Sequence, residues 1–371
     1  MQRRKFFTVA GSTLIATAGA YFLLKEKGLY SRENMNTRMP RSISFKPNEE
    51  GILRLASMAA SGHNAQPWFV KYIEPYQWII CNDKSRWLPA VDPTQRETIL
   101  SIGAFIQNIE YGANNLGYLC KFDVLAVGNQ DENIVSVTLL KTNRTQNSDI
   151  QKIRKRRIVR SNYLNDPLKK GDLSYLLDEE ADFIHSFPNT SPEHGRLNEQ
   201  TIEANRIQAH RDEAERELAN WIRFSRKDAE QHADGLTVST MEIEGLTAWI
   251  LRNFYSKEDV MKKSFREKSI ETAIRQVSTS AGWLVITSKD NSVASLLETG
   301  KRFQRLALKV RERNIAIHPM TQILEEPVMN KAVNQSIGIH DPIQFILRTG
   351  YLKTYPDPVS LRRQVESFVQ I

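Results

Sequence analysis

Cysteine is nearly missing from this chain: Cys81 and Cys120 are the two in 371 residues. That excludes a disulfide framework and an all-cysteine metal cage, leaving one bridge between the pair as an open option. Histidine is scarce as well. The seven histidines form no H-x-x-x-H pair; His318 precedes a proline and His340 precedes Asp341-Pro342. A metal site is not expected. Three further patterns are missing: the G-x-G-x-x-G dinucleotide fingerprint, the G-x-x-x-x-G-K-[ST] phosphate loop and the G-x-S-x-G nucleophile elbow. Without them, Rossmann-type, P-loop and serine-hydrolase readings have no support.

No single sign of charge takes over either. Lys and Arg number 51 against 43 Asp and Glu, a net charge of +8, with a pI near 9.3. The excess favours an acidic ligand, a phosphate or an anionic surface. The basic residues are mixed with acidic ones along the chain, which argues against a nucleic-acid partner. A hydrophobic content of 40% is that of a folded protein, and the length leaves room for two ordinary domains.

What is present begins with Arg3-Arg4-Lys5, followed by a run without formal charge from Phe6 to Leu24. Such a run is long enough to cross a bilayer as a helix, with its basic flank on the cytoplasmic side. Arg3-Arg4 before Phe6-Phe7 also has the look of a twin-arginine export signal. Ala16-Thr17-Ala18 offers a cleavage site, yet the apolar run continues beyond it, so residues 1–24 read as either a cleaved signal or a retained anchor. The expected location is periplasmic, or held at the inner membrane by residues 6–24. Residues 25–49 read as a linker, broken by Pro40 and Pro47.

A polar stretch, Ser61-Gly62-His63-Asn64-Ala65-Gln66-Pro67-Trp68, separates a helix-like run (Ile52 to Ala60) from a strand-like one (Trp68 to Ile73). It has two readings. One is a C-capping turn with Gly62 in the left-handed conformation; the other is a ligand loop carrying amides, a hydroxyl and free N–H groups. Further on, one pattern occurs twice. The strand Gln77 to Cys81, a helix from Thr98 to Leu116, Gly117 and a strand from Tyr118 to Val127 form the first copy. Its helix carries Ile102, Phe105, Ile106, Ile109 and Ala113 on one face. The second copy has the strand Gly282 to Thr287 and a helix from Glu298 to Arg313, with Phe303, Leu306, Ala307 and Val310 as its apolar face. Asn314 stands in the place of Gly117, and Ile315 to Ile317 is the next strand. Two copies of an α+β unit imply a fused pseudo-dimer with its ligand site on the seam. Between them, around 196–268, lies a charged helical insertion, read either as a lid or as a solvated hairpin.

Arginine gathers in Lys152 to Arg160, densest at Arg156, Arg157 and Arg160, and again at Arg362-Arg363. The first cluster suits a phosphate through paired guanidinium hydrogen bonds, or it is a solvated basic face of a helix.

Taken together, Ser61 to Trp68, Arg156-Arg157-x-x-Arg160 and Arg362-Arg363 resemble motifs of the FMN-binding nitroreductase superfamily, in particular its duplicated, Acg-like branch. The resemblance implies a nitroreductase-like α+β fold. A first half over 50–148 and a second over 149–371 would form an intrachain pseudo-dimer, so that one chain acts as two subunits. It implies FMN between the halves, with Arg156, Arg157, Arg160, Arg362 and Arg363 on its phosphate and ribityl chain. Ser61, His63 and Asn64 would line the flavin, and Gln66 would brace their loop. Pro319-Met320-Thr321-Gln322 would lie against the ring, the backbone of Thr321 and Gln322 near the reactive nitrogen. Here Thr321-Gln322 replaces the family's Glu-Gly, and Ile158 replaces its serine. The first half has only Thr37 to Ser42 where a second arginine motif belongs, so one flavin site per chain is expected. No side chain need act as catalyst, because the flavin carries the chemistry. NAD(P)H would be the donor and a quinone or nitroaromatic the acceptor. A covered flavin that does not turn over, and a basic membrane-tethered binding protein without flavin, are the other two readings.

Overall fold

The computed structural model describes residues 45–143, 150–161 and 163–371. The run from Phe6 to Leu24 and the Thr37 to Ser42 segment lie outside them. Among the described residues, no helix is long and apolar enough to cross a membrane.

The chain opens with helix α1 (Glu49–Ala56) and the hairpin β1 (Trp68–Glu74) and β2 (Gln77–Asn82). The long helix α2 (Arg96–Asn115) follows, then β3 (Tyr118–Val124) and β4 (Asn133–Lys141). After α3 (Ile150–Lys155) and α4 (Lys170–Leu177) comes β5 (Ile184–Pro188). Next come α5 (Pro192–His210), α6 (Asp212–Trp221), β6 (Ile222–Arg223), α7 (Arg226–His232), β7 (Leu236–Thr237), α8 (Gly245–Phe254), α9 (Lys257–Val260) and α10 (Lys263–Val277). The chain then runs through β8 (Gly282–Thr287), α11 (Val293–Lys309), β9 (Ile315–Pro319), α12 (Gln322–Glu325), α13 (Pro327–Ile337), β10 (Ile343–Tyr351) and β11 (Val369–Gln370). The fold class is α+β.

Two sheets carry it. The first runs β11-β1-β2-β4-β3, the second β5-β8-β10-β9. Leaving β11 aside, the strands fall in the same spatial order in both. Strand β8, Gly-Trp-Leu-Val-Ile-Thr, is buried at every position, as a central strand covered on both faces must be. Helices α2 and α11 pack on each other between the sheets. Their contact rests on two glycines. A Cβ on Gly103 would lie 2.2 Å from the Leu297 carbonyl oxygen, and one on Gly300 would lie 2.0 Å from that of Leu100. The contact is reciprocal, and each carbonyl sits three residues before its own helix's glycine. Beyond the glycines, Gln304 donates to Asn108 across the buried interface at 2.9 Å.

Some expectations change. The helix termed Glu298 to Arg313 begins earlier, at Val293, because Ser292 caps it through the Ser295 N–H. Arg156 to Arg160 are not helical: α3 ends at Lys155, and the arginines lie on the irregular stretch after it. The two cysteines are free. They sit on β2 and β3, which β4 separates, so no bridge spans them. Strand β11 pairs in parallel with β1 (Val70 with Val369), so the tail of the expected second half is a strand of the first sheet.

Because each glycine faces backbone instead of a movable side chain, Gly103→Ala and Gly300→Ala are each expected to lose about 2 kcal/mol or more. The double variant should lose less than the sum, since either methyl already forces the helices apart. Urea unfolding of the three proteins measures both effects.

Candidate functional site

The loop from Ser61 to Gln66 is wound more tightly than a capping turn. Gly62 to Asn64 form one turn of 3-10 helix, and the left-handed residues are His63 (φ 48°), Asn64 (φ 53°) and Gln66 (φ 53°), not Gly62. Three non-glycine residues in that region within four positions are costly, and neighbouring contacts must hold them there. The Ser61 hydroxyl accepts from the Gln66 N–H at 2.9 Å. Gln66, fully buried, accepts from the Arg363 N–H at 2.9 Å, while the Arg363 guanidinium donates to the Gln66 carbonyl at 2.8 Å. Arg362 donates to the Asn64 side-chain oxygen at 2.7 Å and to the Ala59 carbonyl at 3.1 Å. The C-terminal arginines therefore clamp the loop through its carbonyls and amides. Arg156 does similar work nearby: it is buried and donates twice to the Met58 carbonyl, at 3.2 and 2.8 Å.

Arg157 and Arg160 lie elsewhere in the seam. Arg160 donates through Nη1 to His318 Nε2 at 2.9 Å and through Nε to the Thr240 carbonyl at 3.1 Å. His318 sits at the end of β9, immediately before Pro319. Burial, with Arg160 and Arg348 beside it, holds its pKa well below the ordinary value. It is thus neutral, accepts from Arg160 through Nε2 and carries its proton on Nδ1, which has no partner. His63 reaches the same place from the first half. Burial and then the Arg160 charge push its pKa down from 6.5 to about 4, and its Nδ1 is also sealed without a partner. The sequence brings His63 and Arg160 to a common seam from far apart in the chain.

The Pro319 to Gln322 segment closes the third side. Met320 and Thr321 are buried, and the Thr321 hydroxyl lies 3.2 Å from Glu325 and 3.5 Å from Glu97. Glu97 in turn lies against the loop, since a Cβ on Gly62 would stand 3.2 Å from its Oε2. Burial, followed by the Glu97 charge, raises the Glu325 pKa to about 8.

The stretch from Ala233 to Glu242 bonds to both the loop and the arginines. Gln66 donates to the Ala233 carbonyl at 2.9 Å, Asn64 donates to the Gly235 carbonyl at 3.2 Å, and the Gly235 N–H returns to Asn64 O at 3.2 Å. Asp234 binds Arg86 at 2.8 Å and Arg223 at 2.7 Å. A few residues on, Glu242 accepts from Arg157 at 3.2 Å and from the Arg160 N–H at 3.0 Å, and also from the Ser161 hydroxyl. Glu242, Thr240, Glu97 and Arg348 are site residues that sequence reasoning missed. Arg348, fully buried on β10, stacks on Tyr163 and donates to the Arg160 carbonyl. No local pattern marks any of the four.

No family model and no curated protein matches the chain. The chain is similar to solved nitroreductase-like proteins. One is an FMN- and NADPH-dependent nitroreductase, NfnB, from a Sphingopyxis strain, at 12% identity and a TM-score of 0.38, covering 60% of this chain and 97% of that one. Another is a nitroreductase-like family protein from Bacillus cereus, at 13% identity and a TM-score of 0.32, covering 62% and 98%. A third is the FMN-dependent NfnB of Mycobacterium smegmatis, at 14% and 0.33, covering 56% and 92%. At such identities and TM-scores these likenesses add no weight to the geometry.

Two titrations test the burial of the site. In the unfolded chain His63 takes up a proton near pH 6.5, and in the folded chain near pH 4. Stability from this group therefore falls as pH drops between those values. Relative to His63→Asn, wild type should lose about 3 kcal/mol between pH 7 and pH 4 in chemical denaturation. Glu325 runs the other way: its raised pKa costs stability as pH rises towards about 8. Glu325→Gln should gain on wild type over that range, and thermal melts at pH 5 and pH 8.5 would show it.

Proposed function

We propose that this chain is an FMN-binding oxidoreductase of nitroreductase type, with one flavin in the seam between its two sheets. The observation that carries this reading is the convergence of three segments: Ser61–Gln66, Arg157–Ser161 and His318–Gln322. They meet around two buried histidine nitrogens without partners. Unpartnered buried polar atoms beside excess positive charge suit a ligand with a phosphate at one end and hydrogen-bonding ring edges at the other.

FMN, when bound, supplies hydride and electron transfer. The chain's part is to bind and orient. Arg157, Arg160 and Ser161 would hold the phosphate; His63 and Asn64 would meet polar edges of the cofactor. The backbone of Thr321 and Gln322 would face the ring, with Met320 as an apolar wall. Arg156, Arg362 and Arg363 would act one step back, holding the loop in its left-handed conformation. NAD(P)H would serve as donor, and a flat acceptor such as a quinone or nitroaromatic as oxidant.

The reading of two fused copies is supported by the matching strand order and by the reciprocal glycine contact. Leu100, Gly103 and Gly117 are each the same number of residues from Leu297, Gly300 and Asn314. Export, or tethering by residues 6–24, remains part of the proposal. A covered, non-turnover flavin is the second reading, favoured by the way the Ala233 to Glu242 segment bonds to both the loop and the arginines.

Purified protein should be yellow, with a flavin absorbance band in the blue, and should lose the band in Arg157→Ala/Arg160→Ala. A colourless wild type, or a double variant that keeps its flavin, would sink the site. Anaerobic bleaching by NAD(P)H marks turnover; a band that bleaches with dithionite alone marks the covered form.

A further inference from the structure

Glu242 is held more firmly than a surface glutamate on a loop needs to be. Its side chain is 9% exposed, and its carboxylate takes hydrogen bonds from a guanidinium, a backbone N–H and a hydroxyl of one short segment, Arg157 to Ser161. Those are the kinds of donor that bind a phosphate. Glu242 itself adopts a left-handed φ of 58°, a cost that its contacts must offset.

The charge around it is not balanced. Arg157 and Arg348 both act on Arg160 and oppose its charge; among carboxylates, Glu242 supports it. Three guanidinium groups thus face a single carboxylate, an excess of two positive charges. A phosphate monoester near neutral pH carries close to two. The neighbouring histidines, His318 and His63, stay neutral and do not alter that balance.

Within the segment carrying Glu242, Leu236–Thr237 pair with β6 and Thr237 and Val238 are buried, so movement is confined to the residues after Val238. Gly235 (φ 72°) and Gly245 (φ 64°) bracket the segment, both in the left-handed region. Nothing lies within 4 Å of the Cβ position of Gly245, so that end can swing. The other end is tied to Asn64 and stays in place.

We propose that Glu242 occupies the phosphate subsite as an internal stand-in, and that a phosphate monoester binds by exchanging with it. The identity of the ligand as FMN rests on the function proposed above; the exchange itself does not. Glu242 then sets the affinity of the site, because every bound phosphate must replace a carboxylate already satisfied by the same donors. Displacing it frees the residues after Val238, and with them the start of α8.

The test uses the full chain freed of ligand, with Glu242→Gln and Glu242→Ala, each checked for a wild-type melting profile. Three probes are titrated by calorimetry: FMN, riboflavin and phenyl phosphate. Both variants should bind FMN at least about tenfold more tightly than wild type, with riboflavin unchanged. In wild type, saturating FMN or phenyl phosphate should speed tryptic cleavage after Arg252. Phosphate affinity that stays equal or falls in both variants overturns the exchange, as does a cleavage rate indifferent to ligand. If FMN binds wild type but gains nothing in the variants, the exchange falls and the flavin reading stands. If FMN binds none of them while phenyl phosphate shows the gain, the exchange stands and the flavin reading falls. If none of the phosphates binds any form, both fall.

Discussion

The seam depends first on how closely two helices cross. At Gly103 and Gly300 the backbones of α2 and α11 touch, with no side chain between them. Larger residues would separate the axes and carry the sheets apart with them. Around the crossing, Ile99, Ile102, Phe105 and Ile106 on one helix and Leu296 and Leu297 on the other are buried in one apolar cluster with β1 and β2. Burial on both sides of the crossing makes it rigid, and rigidity here sets the separation of the Ser61–Gln66 loop from the end of β9. A site assembled from far-apart stretches of chain needs such a fixed frame, because neither stretch can position the other locally.

On that frame the chain gathers positive charge where water is scarce. Arg348 is fully buried, Arg156 and Arg363 nearly so, and Arg348 donates to the Arg160 carbonyl. Guanidinium is the tolerable choice for such positions, since it is weakly hydrated and its five donors can be satisfied by carbonyls. Arg156, Arg362 and Arg363 are satisfied that way, on Met58, Ala59, Gln66 and Trp68. Arg157 donates to the Glu242 carboxylate, and the Arg160 guanidinium, bonded to the Thr240 carbonyl and His318, lies within reach of the same charge.

Much of this was legible in the residues, and what was not has a physical reason. The paired strand–helix–strand units stood out because helical periodicity is a local property, set by residues three and four apart. Ser61–Trp68 and the arginine clusters stood out by composition. Three features did not. Left-handed backbone fell on His63, Asn64 and Gln66 because Arg362, Arg363 and the carbonyls of Ala233 and Gly235 hold them there; propensity alone places it on Gly62. Strand β11 joined the first sheet because Val369 finds an open edge on β1, which no count of residues within the second half reveals. Glu242 and Arg348 look like ordinary charged residues until the fold sets them against Arg160.

The histidines then settle what kind of site this is. A histidine near its ordinary pKa would change charge between pH 5 and pH 8 and make the seam a pH switch. His63 and His318 do not, since burial and the Arg160 charge hold both well below that range. The arginines keep their charge throughout, and the group of the site that does change charge near neutral pH is the Glu325 carboxyl beside Thr321, raised to about 8. At the arginines themselves, control then falls to an acceptor that can be exchanged. Glu242, on a segment with glycine at each end, is the acceptor in the right place to be exchanged.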